Sequence, residues 1–495
     1  MERPKPYFFS SFLIVLLSAV FFLGIKRVLP DKIFSDKAGT TKNVLIDSML
    51  IDAFEAEKKQ ATRDSADGKD MDAEDGKGLS NQPVVYYPTD GIQFPEETFE
   101  NYKGDQYLIA FYEKLYQLET TGKGNVRIAY YGDSMTDGDM IVQDFRTNLQ
   151  EQFGGRGVGF VPITSESAAS RNSIKHEYSP NWKSQSYLNV KWPKRSFGVN
   201  GHVFFANDTL RTEWVKFKAG KGKFNQDLDN PTVFYGSSGN KKGVVSYISG
   251  KDTIRKKMNT ANTLNTVTLA NGALKGIKVD FHQADSIPVY GFNFDDGKGV
   301  HVDNFSQRGN SGIPISKFNP KLMNAFQDKL GYDLIILHYG TNVLNYGTLD
   351  YKWYERAMTK TVNKIHECFP GAAVLIISTA DKSTKYDREM KTDSAVVPLT
   401  KAQKRYALNT KSGFVNLFQL MGGKESMVKW VEEEPALAGK DYTHPNFKGA
   451  KRFANLISNQ ISQGYAQFKK LRAAKKANPQ ATDSLNRKND SLNAN

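Results

Sequence analysis

Short apolar runs alternate with helical patterns along most of the chain, and this alternation constrains the fold more than any other feature. The runs "VRIAYY", "DLIILHYG", "AAVLIIST" and "GFVNLF" have the length and composition of buried strands, and segments with helical spacing follow them. Strands that alternate with helices along a chain form a parallel sheet with helices on its faces. The sequence therefore predicts a doubly wound α/β fold.

A segment of different character interrupts this alternation. Between residues 162 and 299 the helical spacing is absent, and strand-like runs such as "TEWVKFKA", "PTVFYG" and "KGIKVDFH" are separated by Gly, Asn and Asp clusters. We predict an inserted all-β sandwich, which divides the α/β domain into residues 95–161 and 300–470. The glycines of "GGRGVG" follow a helix and not a strand, so we interpret them as a helix terminator and not as a dinucleotide-binding motif.

The two ends of the chain have their own composition. Within residues 1–30, Tyr7 to Ile25 form an uncharged segment about as long as a membrane-spanning helix, and no cleavage-site pattern follows it. This pattern predicts an uncleaved signal anchor. Residues 31–94 and 471–495 are polar and charge-mixed, which is typical of a linker and of a disordered tail.

The charges beside the apolar segment bear on its orientation. Arg3 and Lys5 precede it, whereas Lys26, Arg27 and Lys32 follow it. Taken literally, this distribution favours the C-terminal side inside the cell, but large domains are translocated largely regardless of a few flanking charges. We therefore expect a single-pass protein with its globular body outside the membrane.

Cysteine content and charge exclude several kinds of site. Cys368 is the single cysteine, which excludes an internal disulfide and a cysteine metal site. We interpret it as a small apolar side chain at a helix end. The formal charge of +14 is spread over several short basic runs without interleaved aromatic residues. This distribution argues against a nucleic-acid groove.

Two strand ends carry side chains suited to catalysis. Gly132, Asp133 and Ser134 follow the first strand of the α/β pattern, and Asn342 follows a later one. The carboxyl ends of parallel strands are where open α/β sheets place their sites. Ser134 can present an exposed hydroxyl there, and the Asn342 amide can donate to an oxyanion. Both positions are also compatible with ordinary capping of a helix or a loop.

The segment "GKDYTHPNFKGAKRF" supplies a third group. Asp441 precedes His444 by three residues, and a carboxylate at this spacing can hold His Nδ1 and leave Nε2 free to take a proton from a serine. The remaining histidines have no metal-ligand spacing. We therefore expect no metal and no cofactor.

Together these motifs resemble the SGNH/GDSL hydrolase family, whose four blocks supply a Ser, a Gly, an Asn and a His. Ser134 matches the nucleophile, Asn342 the oxyanion Asn, and Asp441 with His444 the last block. The glycine block is best matched by "RGNSGIP", with Gly312 as first choice and Gly309 as second. The resemblance implies a flavodoxin-like three-layer α/β/α domain, a triad of Ser134, Asp441 and His444, and an oxyanion hole formed by Ser134, Gly312 and Asn342.

The insert narrows the resemblance to one branch of the family. A long β-rich insert and the motif "FGGRGVGF" are similar to peptidoglycan O-acetylesterases, in which a jelly roll like a carbohydrate-binding module interrupts the hydrolase domain. Val343 departs from the pattern, because relatives often carry an acidic residue after the oxyanion Asn. The resemblance implies a serine esterase that removes O-acetyl groups from a cell-envelope or extracellular polysaccharide. It also implies a bacterial inner-membrane protein with its body in the periplasm.

Two other function classes are compatible with the same residues. A polysaccharide O-acetyltransferase would use the same triad and pass the acetyl group to a sugar hydroxyl instead of water. A non-catalytic glycan-binding protein would use the β insert and keep the hydrolase fold as a scaffold. Intact Ser, Asn, Asp and His residues at the expected blocks argue against this last class.

Overall fold

The computed structural model describes residues 13, 16, 17, 47–66, 83–206, 212–344, 346 and 348–477. The chain divides into two units, Met1–Leu45 and Ile46–Asn495, and the elements given below belong to the second. Apart from Leu13, Leu16 and Leu17, the predicted signal anchor lies outside the described residues. In the ranges given above, every helix is too short or too polar to cross a membrane.

Helices and strands alternate on both sides of a long run of strands. The helices are α1 (Ser48–Ala66), α2 (Ile109–Thr121), α3 (Val142–Phe153), α4 (Pro320–Leu330), α5 (Lys352–Cys368), α6 (Val396–Asn409), α7 (Leu417–Met421), α8 (Ser426–Glu432) and α9 (Phe447–Ala477). The strands are β1 (Pro83–Val84), β2 (Glu97–Thr98), β3 (Asn125–Gly132), β4 (Gly159–Val161), β5 (Ile174–Tyr178), β6 (Lys183–Ser186), β7 (His202–Phe205), β8 (Glu213–Ala219), β9 (Leu228–Asp229), β10 (Thr232–Gly236), β11 (Val244–Ser249), β12 (Asp252–Lys257), β13 (Leu264–Thr268), β14 (Ala273–Leu274), β15 (Gly276–His282), β16 (Val289–Phe294), β17 (Gly299–Asn304), β18 (Tyr332–His338), β19 (Ala373–Ile377), β20 (Ser383–Tyr386), β21 (Glu389–Thr392) and β22 (Gly413–Val415).

A parallel sheet in the order β17-β3-β18-β19-β22 forms the centre of the α/β part. Numbered by their order along the chain, these strands are arranged 2-1-3-4-5, which is the flavodoxin-like order. Because crossovers are right-handed, the change of direction after β17 places the connecting helices on opposite faces. Tyr130 accordingly packs against Phe145 of α3, whereas its neighbour Tyr131 packs against Phe318 just before α4. The predicted doubly wound sheet is confirmed.

The segment between β3 and β17 contains two antiparallel sheets, ordered β12-β11-β15-β8-β5 and β13-β10-β16-β7-β6, with β4 beside β16. Their inner faces form one apolar core, and β8 shows the pattern: Val215 and Phe217 point inward while Lys216 and Lys218 are exposed. The pairing begins at Gly159, just before the predicted boundary at residue 162. Gly159 is required there, because its φ is 73° and a Cβ would lie 2.0 Å from Asp303 Oδ1.

Buried polar and aromatic contacts join this sandwich to the parallel sheet. Arg127 of β3 forms ion pairs of 2.6 Å with Asp295, after β16, and of 2.8 Å with Asp303 of β17. Phe326 of α4 stacks on Phe234 of β10 with ring centres 6.0 Å apart. The α/β part and the sandwich therefore share packed side chains and do not meet only through their connections.

The linker prediction for residues 31–94 is wrong over the part that the structure describes. Asp47 is buried, and one of its carboxylate oxygens accepts the N–H groups of Met49 and Leu50 at the start of α1. Its other oxygen accepts Ser311 N–H at 3.0 Å and the Ser311 hydroxyl. Phe94 is also buried. Isolated buried residues of this kind give no sequence periodicity. They hold the segment in place because each packs against or bonds to the rest of the domain.

The predicted tail begins too early. Helix α9 continues to Ala477 and therefore includes the first residues of the predicted tail, 471–495. Arg472 of this helix forms an ion pair of 2.7 Å with Glu113 of α2, which holds the helix end against the body. The remainder of the predicted tail, residues 478–495, lies outside the described residues.

Candidate active site

Ser134 lies at the carboxyl edge of the parallel sheet, in the turn that follows β3. Its strand neighbours β18, which ends at His338 opposite Gly132, so the loop carrying Asn342 starts beside the serine. These two strands flank the position at which the strand order reverses, the usual location of sites in such sheets. Ser134 is half-buried, which leaves part of the residue accessible from solvent.

The loop before α9 brings His444 to the serine. Ser134 Oγ lies 3.0 Å from His444 Nε2, and His444 Nδ1 lies 2.7 Å from Asp441 Oδ2. The second oxygen of Asp441 accepts the N–H groups of Thr443 and His444, each at 3.1 Å. Gly439 N–H closes the loop by donating to the His444 carbonyl at 2.9 Å. The structure thus places the three predicted triad residues in one hydrogen-bonded chain.

The charge on Asp441 determines which nitrogen of His444 carries a proton. Partial burial raises the pKa of Asp441, but hydrogen bonds from the His444 side chain and backbone outweigh this effect, and the pKa lies below its usual value. An ionised carboxylate can only accept hydrogen bonds, so Nδ1 is the protonated nitrogen and Nε2 can accept from Ser134 Oγ. The side chains of His444 and Asp441 are 43% and 53% exposed, so water reaches the site.

Asp133 precedes the serine and is buried beneath the site. Its Oδ1 accepts Met135 N–H at 2.9 Å, and its Oδ2 accepts the Asn342 amide at 3.4 Å. Burial raises the pKa of Asp133 to about 6, although the hydrogen bond from Met135 N–H, the nearby His444 and the hydrogen bonds from Thr341 act in the opposite direction. The capping interpretation of this residue agrees with its contact to Met135 N–H.

Asn342 reaches across the sheet edge instead of capping its own loop. Its Nδ2 donates to the Asn310 carbonyl at 3.0 Å, and the contact to Asp133 uses the same nitrogen. The two donor hydrogens of the amide are therefore both directed at the edge where Ser134 lies. The structure brings Asn342 and Ser134 to the same site, as the pattern of strand ends predicts.

The two glycines of the motif "RGNSGIP" have different surroundings in the structure. Gly312 is buried, its N–H donates to Asn310 Oδ1 at 2.9 Å, and a Cβ there would lie 2.8 Å from Tyr339. Its N–H is thus already used inside the loop, which argues against Gly312 as an oxyanion donor. Gly309 is half-buried with φ 75°, and in the part of the chain that is described its N–H donates to no acceptor.

Sequence reasoning missed Asn310, which organises this loop. It is fully buried, its side chain and carbonyl accept from Gly312 and Asn342, and its Nδ2 donates to the Tyr187 hydroxyl at 3.0 Å. Tyr187 belongs to the sandwich, immediately after β6. The motif "RGNSGIP" contains Asn310, but its glycines alone do not reveal that this residue accepts hydrogen bonds from both Gly312 and Asn342.

The cysteine and several histidines lie outside the candidate active site and are packed inside the protein. Cys368 is buried at the end of α5, as predicted. Burial lowers the pKa of a set of histidines outside the site and favours their neutral form, namely His176, His202, His301, His338 and His366. Among the described residues, no group of His, Cys, Asp and Glu has a geometry that could hold a metal ion.

The chain was compared with family models, curated proteins and solved structures, and its fold is similar to that of a solved structure. No protein-family model matches the chain, and no curated protein matches it. A solved peptidoglycan O-acetylesterase structure is 20% identical with a TM-score of 0.59, and the alignment covers 72% of this chain and 96% of that one. A family 2 carbohydrate esterase with a carbohydrate-binding domain from Corynascus thermopiles is 14% identical with a TM-score of 0.27, covering 59% and 99% of the two chains. A family two carbohydrate esterase from Cellvibrio japonicus is 10% identical with a TM-score of 0.24, covering 60% and 99%. The first likeness shows that this chain has the fold of that esterase.

Proposed function

We propose that the protein is a serine esterase that removes O-acetyl groups from a cell-envelope or extracellular polysaccharide. The observation that carries the proposal is the hydrogen-bonded chain from Ser134 Oγ through His444 to Asp441, with distances of 3.0 and 2.7 Å. A serine hydroxyl is a weak nucleophile until an adjacent base can take its proton. This arrangement supplies such a base and holds it in the required tautomer.

In the first half of the reaction, Ser134 Oγ attacks the carbonyl carbon of the acetyl group and its proton passes to His444 Nε2. The bond between the carbonyl carbon and the sugar oxygen then breaks. His444 returns the proton to that oxygen, so the sugar leaves as an alcohol and the acetyl group remains on Ser134. Asp441 stays ionised and stabilises the positive charge that forms on the imidazole.

In the second half, water replaces the sugar. His444 takes a proton from the water, and the resulting oxygen nucleophile attacks the acetyl carbonyl carbon. The bond to Ser134 Oγ breaks, the serine recovers its proton from His444, and acetate is released. The exposure of the His444 and Asp441 side chains supports this step, because solvent has direct access to the base.

The oxyanion would be held by Ser134 N–H, Gly309 N–H and the Asn342 amide. In the described part of the chain, the first two N–H groups donate to no acceptor. The 3.0 Å bond to the Asn310 carbonyl keeps the Asn342 amide in position. Its contact to Asp133 is long at 3.4 Å and can give way to a developing negative charge.

Two features support a polysaccharide substrate. The solved structure with the same fold is a peptidoglycan O-acetylesterase, and its chain is covered almost completely. The triad also lies open at the surface, which suits an ester group on a polymer better than a deeply enclosed pocket would. We assign the sandwich of residues 162–299 a glycan-binding role, and we place the body in the periplasm behind an N-terminal anchor at residues 1–30.

The direct test incubates the full-length protein with acetylated peptidoglycan and with several acetylated polysaccharides. Free acetate and acetate transferred to added sugar acceptors are measured in the same reaction, with Ser134→Ala as control. We expect acetate release that depends on Ser134. Predominant transfer to the acceptor would instead identify an O-acetyltransferase. The absence of both acetate release and acetyl transfer would contradict the proposal.

Location has a separate test. Spheroplasts that carry the protein with a C-terminal epitope are treated with protease, before and after the membrane is broken. Loss of the epitope in intact spheroplasts is expected for a periplasmic body. Survival of the epitope until the membrane is broken would contradict the location and, with it, an envelope substrate.

A further inference from the structure

A cavity of about 680 Å³ lies between the α/β part and the sandwich. Helix α3 forms one wall, with Gln143, Asp144 and Thr147. The opposite wall consists of β5, the end of β8 and the loop of residues 219–225. None of the candidate active-site residues lines it, so the cavity is separate from the triad.

Two lysines face each other beside this cavity. Lys175 of β5 and Lys218 of β8 are direct partners in the antiparallel pairing, and both line the cavity wall. Like charges directly opposite each other destabilise a sheet. Neither lysine forms an ion pair within the ranges that the structure describes. Their ammonium groups therefore remain available to an anion.

The next pair of residues on the same face has opposite charges and lies away from the cavity. Two residues along, Glu177 of β5 faces Lys216 of β8, and the two side chains form an ion pair of 3.1 Å. These residues do not line the cavity. The matched pair and the unmatched pair thus occupy equivalent positions on one ladder, and only the unmatched pair borders the open volume.

The loop after β8 adds groups of two kinds. Lys221 and Lys223 line the cavity, and Lys223 is paired with Glu151 at 3.3 Å. Asn225 also lines it, and its Oδ1 is buried without a donor in the described part of the chain. A buried acceptor without a partner is costly, so a ligand that donates a hydrogen bond there would remove a penalty.

We propose that this cavity binds an acidic saccharide, a sugar that carries hydroxyl groups together with a carboxylate or a phosphate. Lys175, Lys218 and Lys221 would hold the anionic group, while Asn225 Oδ1 would accept a hydroxyl hydrogen. A neutral glycan would leave the lysines unmatched, and a simple inorganic anion would leave the amide oxygen without a donor. The choice of a saccharide rests on the proposed function, whereas the anion site rests on the cavity itself.

The test measures binding to the full-length protein by calorimetry with four probes: a galacturonate oligomer, a phosphorylated mannose oligomer, a neutral cello-oligosaccharide and a single-stranded oligonucleotide of matched charge. We expect at least one of the first two to bind, which also tells carboxylate from phosphate. The neutral probe and the oligonucleotide should bind at least about tenfold more weakly, because neither fits both kinds of group. Equal binding of the oligonucleotide would overturn the saccharide assignment in favour of a general polyanion surface.

Matched variants locate the site. Lys175→Gln with Lys218→Gln should weaken binding at least about tenfold and reduce its salt dependence, since two ammonium contacts are lost. Glu177→Gln with Lys216→Gln changes the neighbouring pair on the same face and should stay within about twofold. Equal losses in both double variants, or no binding of either acidic probe to the unmodified protein, would overturn the proposal. Lys221→Gln, in the exposed loop, provides a third variant that leaves the strands untouched.

The outcome is independent of the esterase assignment. Ser134→Ala should bind the acidic probe as well as the unmodified protein does, because the serine does not line the cavity. Both double variants, Lys175→Gln with Lys218→Gln and Glu177→Gln with Lys216→Gln, should hydrolyse a small acetyl ester at an unchanged rate. Binding without any esterase activity would contradict the proposed function and support the cavity site, whereas esterase activity without binding would contradict only the cavity site.

Discussion

The side-chain amide of Asn342 donates a hydrogen bond of 3.0 Å to the backbone carbonyl of Asn310. This bond links the loop after β18 to the loop before α4. The Asn310 side chain in turn contacts Tyr187 of the sandwich at 3.0 Å. The direction of the Asn342 amide therefore depends on three segments that are distant in sequence.

Replacing Ser134 by Ala should reduce the hydrolysis of a small acetyl ester by more than about 10⁴-fold, because the acyl-enzyme cannot form. The fold should be unaffected, since Ser134 is half-buried and, within the described residues, its hydroxyl forms a hydrogen bond only with His444. Initial rates and thermal unfolding check the two expectations. A variant that keeps unmodified turnover would show that Ser134 is not the nucleophile.

Replacing Asn342 by Ala should lower kcat by roughly 10²- to 10³-fold, the usual effect of removing one oxyanion donor. Asn319→Ala is the matched control, because Asn319 Oδ1 accepts Leu322 N–H and caps α4. That control should lose about 0.5–2 kcal/mol of stability and keep its turnover. A change of less than about threefold in kcat for Asn342→Ala would assign Asn342 a purely structural role.

Replacing Tyr187 by Phe tests the contact between the sandwich and the site. The buried Asn310 amide would lose its 3.0 Å acceptor, and we expect a loss of about 1–3 kcal/mol of stability. We also expect a several-fold decrease in kcat, because Asn310 positions Asn342. Tyr131→Phe serves as control, since its buried hydroxyl donates to the Val199 carbonyl at 2.8 Å. If the two variants show the same kcat, Asn310 does not transmit the contact to the site.

Replacing Asp441 by Asn should lower kcat by about 10⁴-fold at neutral pH, because the tautomer of His444 is no longer held. The pKa of Asp441 is lower in the folded protein than its unperturbed value of 3.8. Its contribution to stability is therefore complete above that value and is lost as the pH falls through the lower, folded pKa. Unfolding curves between neutral and strongly acidic pH should show a difference between the two proteins that shrinks in this acidic range. A constant difference would contradict the lowered pKa.

Replacing Arg146 by Met should destabilise the protein by roughly 3 kcal/mol, at the low end for breaking a buried ion pair, because Arg171 still faces the carboxylate. Asp139 is buried, and it accepts Arg146 at 2.9 Å and Arg171 at 3.3 Å. Lys216→Gln breaks an exposed pair with Glu177 and should cost less than about 1 kcal/mol. Urea unfolding of both variants measures the difference. Equal losses would show that the Asp139 cluster contributes no more than a surface pair.

Local patterns were sufficient for the features that depend on neighbours in the chain. The alternation of strands and helices predicts the doubly wound sheet, because each run buries its own apolar face. The spacing of Asp441 and His444 predicts their contact, since they are three positions apart and the loop needs no distant partner. Ser134 and Asn342 follow from the rule that the carboxyl ends of parallel strands share one edge.

The tertiary structure decided the contacts between distant segments. Ser134 and His444 are 310 residues apart, and only the order of the strands brings them to 3.0 Å. The structure distinguishes two glycines of one short motif, because the N–H of Gly312 donates to Asn310 Oδ1 whereas among the described residues the N–H of Gly309 donates to no acceptor. Asp47 docks on Ser311 although its surroundings read as a linker. Hydrogen bonds and burial of this kind depend on which surfaces meet, and a sequence pattern records only the spacing of residues along one chain segment.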